Sequence, residues 1–366
     1  MTRSVDLIVD VTPAAGLGEP AHIALTVTVP DENAAVGPEP VVCFAKPGAG
    51  YSRGYYTADL PGAPAGSGAG TATGSQAAWH AARGWIFVSV DHLGVGDSSQ
   101  HPDRLTFGPV VAAAQSAEAD VLQKLAAGTL MDGLGSVENP LKIGIGQSMG
   151  GCLTVVQQGR YHGYDGVAVL GYGVLETLPP TAPGTPPLAL PWIPRGALLD
   201  DGVITNAPAL ARVDPAAGAA PGELAWGFHY DDVDPDVLAQ DMTDYPARGG
   251  ELPAWGSATI PAPLVLWCVT PGAVLAEAAA IEAPVLLAMG ERDVLTDPRG
   301  EVRAYRSSAS VDFFVCPRMA HMHNFAGTRE LFWRRIETWA EWVRAYKAVL
   351  GAAGAVASGA MAGSGK

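Results

Sequence analysis

The stretch LKIGIGQSMGGCLTV, Leu141–Val155, sets one serine, Ser148, between Gly146 and Gly150. In a chain with 45 glycines among 366 residues, a bare Gly-x-Ser-x-Gly arises by chance roughly 0.2 times, so its surroundings must decide its meaning. LKIGI is a continuous apolar run, as in a strand buried on both faces, and a helical run opens near Met149. A serine at such a strand-to-helix turn is held in a strained backbone whose neighbours approach both elements closely. Gly146 and Gly150 carry no Cβ to obstruct that approach. The turn also leaves the Met149 backbone N–H at the positive end of a helix, ready to stabilise an oxyanion.

The alternation around this stretch defines the fold class. SVDLIVDV, HIALTVTV and PVVCFA read as strands separated by Pro, Gly and Asp turns. SQAAWHAARG has helical spacing and runs into WIFVSVD, another buried strand; VVAAAQSAEADVLQKLAAG is a helix ended by Gly128, and MGGCLTVVQQGRY is a helix leading to GVAVLGYG. Strand and helix thus alternate from Pro40 onward, the signature of a mostly parallel sheet with helices on both faces. The pattern breaks near residue 175 and resumes near 275 with a helix at GAVLAEAAAI, a strand at PVLLAMG, a helix at PRGEVRAYRSS and a strand at VDFFVCP. The amphipathic TRELFWRRIETWAEWVRAYKAVL closes the core. The expected organisation is a core at 1–174 and 276–350, a lid or cap inserted after the sixth strand at 175–275, and a disordered low-complexity tail at 351–366.

Composition narrows the function. Hydrophobic residues make up 48% and charged ones 16%, enough for a large buried core. A net charge of −15 argues against nucleic acid or anionic membrane as partner. Cys43, Cys152, Cys268 and Cys316 have no metal-ligand spacing and read as reduced buried thiols. With no apolar h-region at the N-terminus and no apolar run of spanning length, a soluble cytoplasmic protein is expected, its oligomeric state left open with a homodimer allowed.

An isolated serine is a poor nucleophile and needs a base oriented by a third group. VLLAMGERDVLTDP ends a buried strand with Asp293, and VDFFVCPRMAHMHNF ends the next and then presents His321. Open α/β sheets place their chemistry outside the carboxyl ends of their strands, and all three residues fall at such ends.

Together, GIGQSMGG, AMGERDVLTDP, PRMAHMHNF and VSVDHLGVGDSS resemble the α/β-hydrolase family over nearly the whole chain, in the family's order Ser, Asp, His. The resemblance implies Ser148 as nucleophile, Asp293 as acid and His321 as base. It implies oxyanion donors from Met149 and from the loop after the third strand, here AKPGAGYSR. That loop departs from the family's usual His-Gly opening by placing Lys46-Pro47 before Gly48. Its donor is therefore Ala49 or Gly50, and Tyr51, Ser52 or Arg53 has room to contact substrate.

Each role has a rival. His323 competes for the base, while His229 and His92 read as structural or cap residues. Asp297 and Glu176 compete for the acid, and Asp97 reads as satisfying a turn. HMHNF lacks the Asp-His of a metallo-hydrolase motif, and no His-Glu-x-x-His occurs, so neither metal nor cofactor is expected. The inserted segment concentrates Trp192, Trp226, Phe228, Tyr230, Trp255 and Trp267, which seat a cap on the core and in part line an apolar pocket. The expected activity is hydrolysis of a mostly apolar ester or lactone, aromatic or macrocyclic, through a Ser-His-Asp triad. Carbon–carbon bond hydrolysis is the alternative, with Arg195, Arg212 and Arg248 as candidates for a substrate carboxylate; a non-catalytic ligand-binding member of the fold is the third reading.

Overall fold

A computed structural model of the chain describes residues 2–31, 36–37, 39–62, 73–102, 104–185, 221–243, 245–246, 248 and 250–363. The apolar runs become one eight-stranded sheet: β1 (Thr2–Asp10), β2 (His22–Pro30), β3 (Val41–Lys46), β4 (Ile86–Val90), β5 (Leu141–Gln147), β6 (Gly166–Leu170), β7 (Val285–Arg292) and β8 (Val311–Ala320), in the order β1-β2-β4-β3-β5-β6-β7-β8. The pairs β1·β2 and β2·β4 are antiparallel and the others parallel. β1, at the edge, alternates inner and outer residues, whereas β3, β4 and β6 are buried at every position.

The period of two splits each central strand between two cores. Val42 and Phe44 face one side of the sheet with helices α4 (Phe107–Ala127) and α5 (Met149–Tyr161); Val41, Cys43 and Ala45 face the other with α10 (Arg329–Gly363). A short helix, α1 (Thr12–Ala15), lies between β1 and β2, and two more, α2 (Gly54–Thr57) and α3 (Gln76–Ala81), lie between β3 and β4. The cap of α3 is Ser75, whose side chain accepts the Ala78 N–H, and α4 ends on Gly128, whose φ of 67° is the left-handed state glycine tolerates. Trp333 and Trp339 of α10 are fully buried, each contributing about 1.5–3 kcal/mol. All four cysteines are free and buried. Among the described residues no helix is long and apolar enough to cross a membrane.

The strand order reverses between β4-β3 and β3-β5, so the loops after β3 and β5 part and leave a crevice at their carboxyl ends. Between β6 and β7 the described chain forms α6 (Pro221–Phe228), α7 (Pro235–Met242), α8 (Ala262–Val269) and α9 (Leu275–Ala280). Trp192, Arg195 and Arg212 lie outside the described residues.

Two expectations need correction. PRGEVRAYRSS forms only a single 3-10 turn, Gly300–Ala304, because Asp297 accepts the Gly300 N–H at its start and Glu301 turns inward to accept the N–H groups of Val174 and Leu175. The stretch 351–363, read from composition as a disordered tail, continues α10 to Gly363; its alanines are the strongest helix formers.

Candidate active site

Ser148 leaves β5 with φ 54° and ψ −120°, a conformation that costs a non-glycine residue energy. Its N–H is tied to the Leu170 carbonyl of β6 at 2.8 Å. A Cβ on Gly146 would run into the Gly150 carbonyl, and one on Gly150 into the Lys46 carbonyl, so the glycines flanking the serine are required by close backbone approach. Met149 opens α5, and its N–H has no acceptor among the described residues.

The irregular pairing of β7 with β8 aims the other two side chains. Their register shifts between Gly290 and Arg292, and Arg318 takes a positive φ of 53°. Asp293 follows β7 directly, and His321 follows β8, which continues to Ala320 rather than stopping at Pro317. His321 Nε2 lies 3.0 Å from Ser148 Oγ, and His321 Nδ1 lies 2.6 Å from Asp293 Oδ1. An ionised carboxylate can only accept, so Nδ1 carries the proton and Nε2 is free to accept from the serine hydroxyl. Ser148 stays partly exposed while His321 and Asp293 are buried.

Asp293 receives four donors. Oδ1 takes His321 and the Val294 N–H at 2.8 Å; Oδ2 takes the Gly290 N–H at 2.9 Å and His323 Nε2 at 2.7 Å. Burial alone would push this carboxyl up, but the two imidazoles, through charge and hydrogen bonds, hold it well below the usual range. Burial lowers the His323 imidazole against the pull of Asp293. His323 Nδ1 is buried without a partner, which fits a neutral ring donating through Nε2. The sequence offered His323 as a rival base; its ring lies on Asp293 Oδ2, away from Ser148.

The other candidates lie elsewhere. Glu176 is exposed and accepts from Thr296 at 2.6 Å, and Asp297 caps the Gly300 turn. Asp97 does not satisfy the turn after β4: fully buried Asp91 does, accepting the N–H groups of Arg53 and Asp97. His92 is fully buried, which pushes it down to about 4. His229 sits on Asp241 at 2.8 Å.

In the loop after β3, Lys46 turns away from the site to Glu118 and Tyr164, at 2.7 and 2.8 Å. Gly48 lies against Ser148, since a Cβ there would stand 3.1 Å from Ser148 Cβ. The N–H groups of Gly48, Ala49 and Gly50 have no acceptor among the described residues. Successive free amides of this kind form an anion-binding concavity. Tyr51 and Arg53, expected to have room for substrate, are committed elsewhere: Tyr51 is fully buried with its hydroxyl on Asp241 at 2.8 Å, and Arg53 is paired with Asp91 and Asp97.

Of the aromatics between β6 and β7, Phe228 lies against the His321 ring, with centroids 5.2 Å apart. Trp226 and Tyr230 lie beside the Arg292 guanidinium, Trp255 donates to Asp241, and Trp267 meets Phe107. Arg248, a candidate for a substrate carboxylate, is buried on Asp241 and the Gly50 carbonyl. Sequence reasoning missed Asp241 and Tyr245, which touch the β3 loop from about two hundred residues away and carry no motif.

The order and mostly parallel pairing of the sheet are those of the α/β-hydrolase fold, and solved structures agree on that fold. The chain is similar to an esterase from Thermogutta terrifontis at 14% identity and TM-score 0.56, over 92% of this chain and 99% of that one. It is similar to an enol-lactonase from Burkholderia xenovorans at 14% identity and TM-score 0.51, over 90% and 97% of the two chains. A proline iminopeptidase from Mycobacterium smegmatis matches at 16% identity and TM-score 0.54, over 94% and 98%. No family model and no curated protein matches the sequence. Likeness at this identity establishes the fold, and function has to be argued from the site.

Proposed function

We propose that this chain is a serine hydrolase that cleaves a carboxylic ester or lactone of a mostly apolar substrate. The observation that carries the reading is the continuous hydrogen-bonded series from Ser148 Oγ through His321 to Asp293, at 3.0 and 2.6 Å, on a strained turn that leaves Ser148 partly exposed. Ser148 Oγ attacks the carbonyl carbon while His321 Nε2 takes its proton. The carbonyl π pair moves to oxygen, where the Met149 N–H and the Ala49 or Gly50 N–H receive it. Collapse of the tetrahedral intermediate expels the alkoxide, which takes the proton back from His321, and leaves an acyl-Ser148. Water, deprotonated by the same imidazole, repeats the sequence and releases the acid. Asp293 keeps His321 in the required tautomer and stabilises the imidazolium.

The apolar preference rests on Phe228, whose ring lies 5.2 Å from that of His321, and on the engagement of Arg248 elsewhere. Phenyl, naphthyl and macrocyclic lactone or ester substrates are expected to be cleaved ahead of small charged ones. A fluorophosphonate is expected to label wild-type protein and not Ser148→Ala. A folded wild type that takes no label and shows no Ser148-dependent hydrolysis would reject the reading.

A further inference from the structure

The loop that carries the free amides is fastened on its carbonyl side, mostly by the segment between β6 and β7. The Gly48 carbonyl accepts the Tyr51 N–H at 3.3 Å, and the Ala49 carbonyl accepts the Tyr245 hydroxyl at 3.1 Å. The Gly50 carbonyl accepts the Ser257 N–H at 3.0 Å and the Arg248 guanidinium. In a planar trans peptide the N–H points opposite to the C=O of the preceding residue. Holding the Gly48 and Ala49 carbonyls therefore turns the Ala49 and Gly50 N–H groups to the other side of the loop.

Tyr245 is itself held in place. Its ring lies between Tyr51 and Phe228, at 5.7 and 5.3 Å, and Arg248 stands 5.1 Å over it. Arg248 is fixed by Asp241, a fully buried carboxylate that also takes Tyr51, His229 and Trp255, each at 2.8 Å. Gly50 makes the approach possible: at φ 79° it has no Cβ, and one added there would stand 3.0 Å from Tyr245 Cε2.

We propose that Tyr245, braced by Arg248 and Asp241, is a positioning residue for the oxyanion, orienting the Ala49–Gly50 peptide without touching substrate. The proposal rests on the serine-hydrolase reading above. It implies that the β6–β7 segment completes the oxyanion site rather than merely covering it, so displacing that segment would impair chemistry as well as access.

The test is Tyr245→Phe, which keeps the ring between Tyr51 and Phe228 and removes one hydroxyl. With the Ala49–Gly50 peptide free to rotate, kcat on a p-nitrophenyl ester is expected to fall about tenfold with KM within about twofold, the signature of an interaction made in the transition state. Affinity for an aryl boronic acid, which forms a tetrahedral adduct on Ser148, should fall by the same factor. Folding is checked by the thermal transition, since a merely structural role would lower that transition without separating kcat from KM. A folded variant whose kcat and boronate affinity lie within about twofold of wild type overturns the proposal. The hydrolase reading fails separately, and the proposal with it, if the wild type shows neither fluorophosphonate labelling nor Ser148-dependent turnover.

Discussion

Asp293→Asn tests whether the buried carboxylate does more than fill space. Asparagine is almost isosteric with aspartate, so no cavity contributes, and any effect is polar. The structure makes the substitution costly in either amide orientation. With its NH2 at the Oδ1 position, the new side chain faces the Val294 N–H and His321 Nδ1; at the Oδ2 position it faces the Gly290 N–H and His323 Nε2. The imidazoles can change tautomer, but the backbone donors cannot. One backbone N–H therefore always meets a donor, leaving two buried groups unsatisfied at about 1–3 kcal/mol each, or about 2–6 kcal/mol of folding stability. In the first orientation His321 would carry its proton on Nε2 and donate to Ser148 instead of accepting from it. In the second the useful tautomer survives only if His323 moves its proton to Nδ1, which is buried without a partner, and the charge facing the imidazolium is lost in both. A fall in kcat of about 10³–10⁴ with little change in KM is expected. Steady-state hydrolysis of p-nitrophenyl butyrate, with urea unfolding on the same preparations, measures both quantities. A folded Asp293→Asn enzyme within about tenfold of wild-type kcat would refute the assignment of the acid and the tautomer argument together.

Two further outcomes follow from neighbouring groups. His321→Ala should cost about 10³–10⁴ in kcat and His323→Ala about tenfold, because the first removes the base and the second removes one of four donors on its acid; the reverse ranking would move the base to His323. Burial raises Glu301 to about 7, so the folded protein binds a proton there that the unfolded chain has released above its ordinary carboxylate range. Its contribution to stability is full below about pH 4.5 and is lost as the pH rises through about 7. Glu301→Gln, which can still accept the Val174 and Leu175 N–H groups, should flatten the decline in melting temperature between about pH 5 and pH 8; an unchanged slope would count against it.

The fold was legible because its evidence is periodic and local. Continuous apolar runs marked β3 to β7, and Gly128 marked the end of α4. Ser148 was legible once its strand and helix were seen, and Asp293 and His321 because each closes a strand in chain order. What could not be read depends on side chains that meet only in space. His323 and His321 are two residues apart, and only the irregular end of β8 decides which ring reaches Ser148 and which reaches Asp293 Oδ2. PRGEVRAYRSS has helical composition, yet Asp297 and Glu301 draw it into a single 3-10 turn. Asp91 and Asp97 share one glycine-rich turn, and only burial distinguishes the acceptor from its neighbour.

Two buried carboxylates, Asp293 and Asp241, organise the groups around Ser148 and the β3 loop, and their likeness is physical. Asp293 and Asp241 each receive four donors, two on each oxygen. Moving an ion from water into the protein costs several kcal/mol unless every lone pair finds a donor, and breaking one partner exposes that cost. A carboxylate satisfied in this way fixes the position of each donor around it. Asp293 fixes His321, while Asp241 fixes Tyr51 and Arg248, the latter on the Gly50 carbonyl of the loop of free amides. Phe228 touches His321 and Tyr245 touches Ala49, so the two networks meet across one aromatic contact of 5.3 Å. A change that loosens the Asp241 network should thus reach the chemistry through the loop amides first, leaving the Ser148–His321 pair in place.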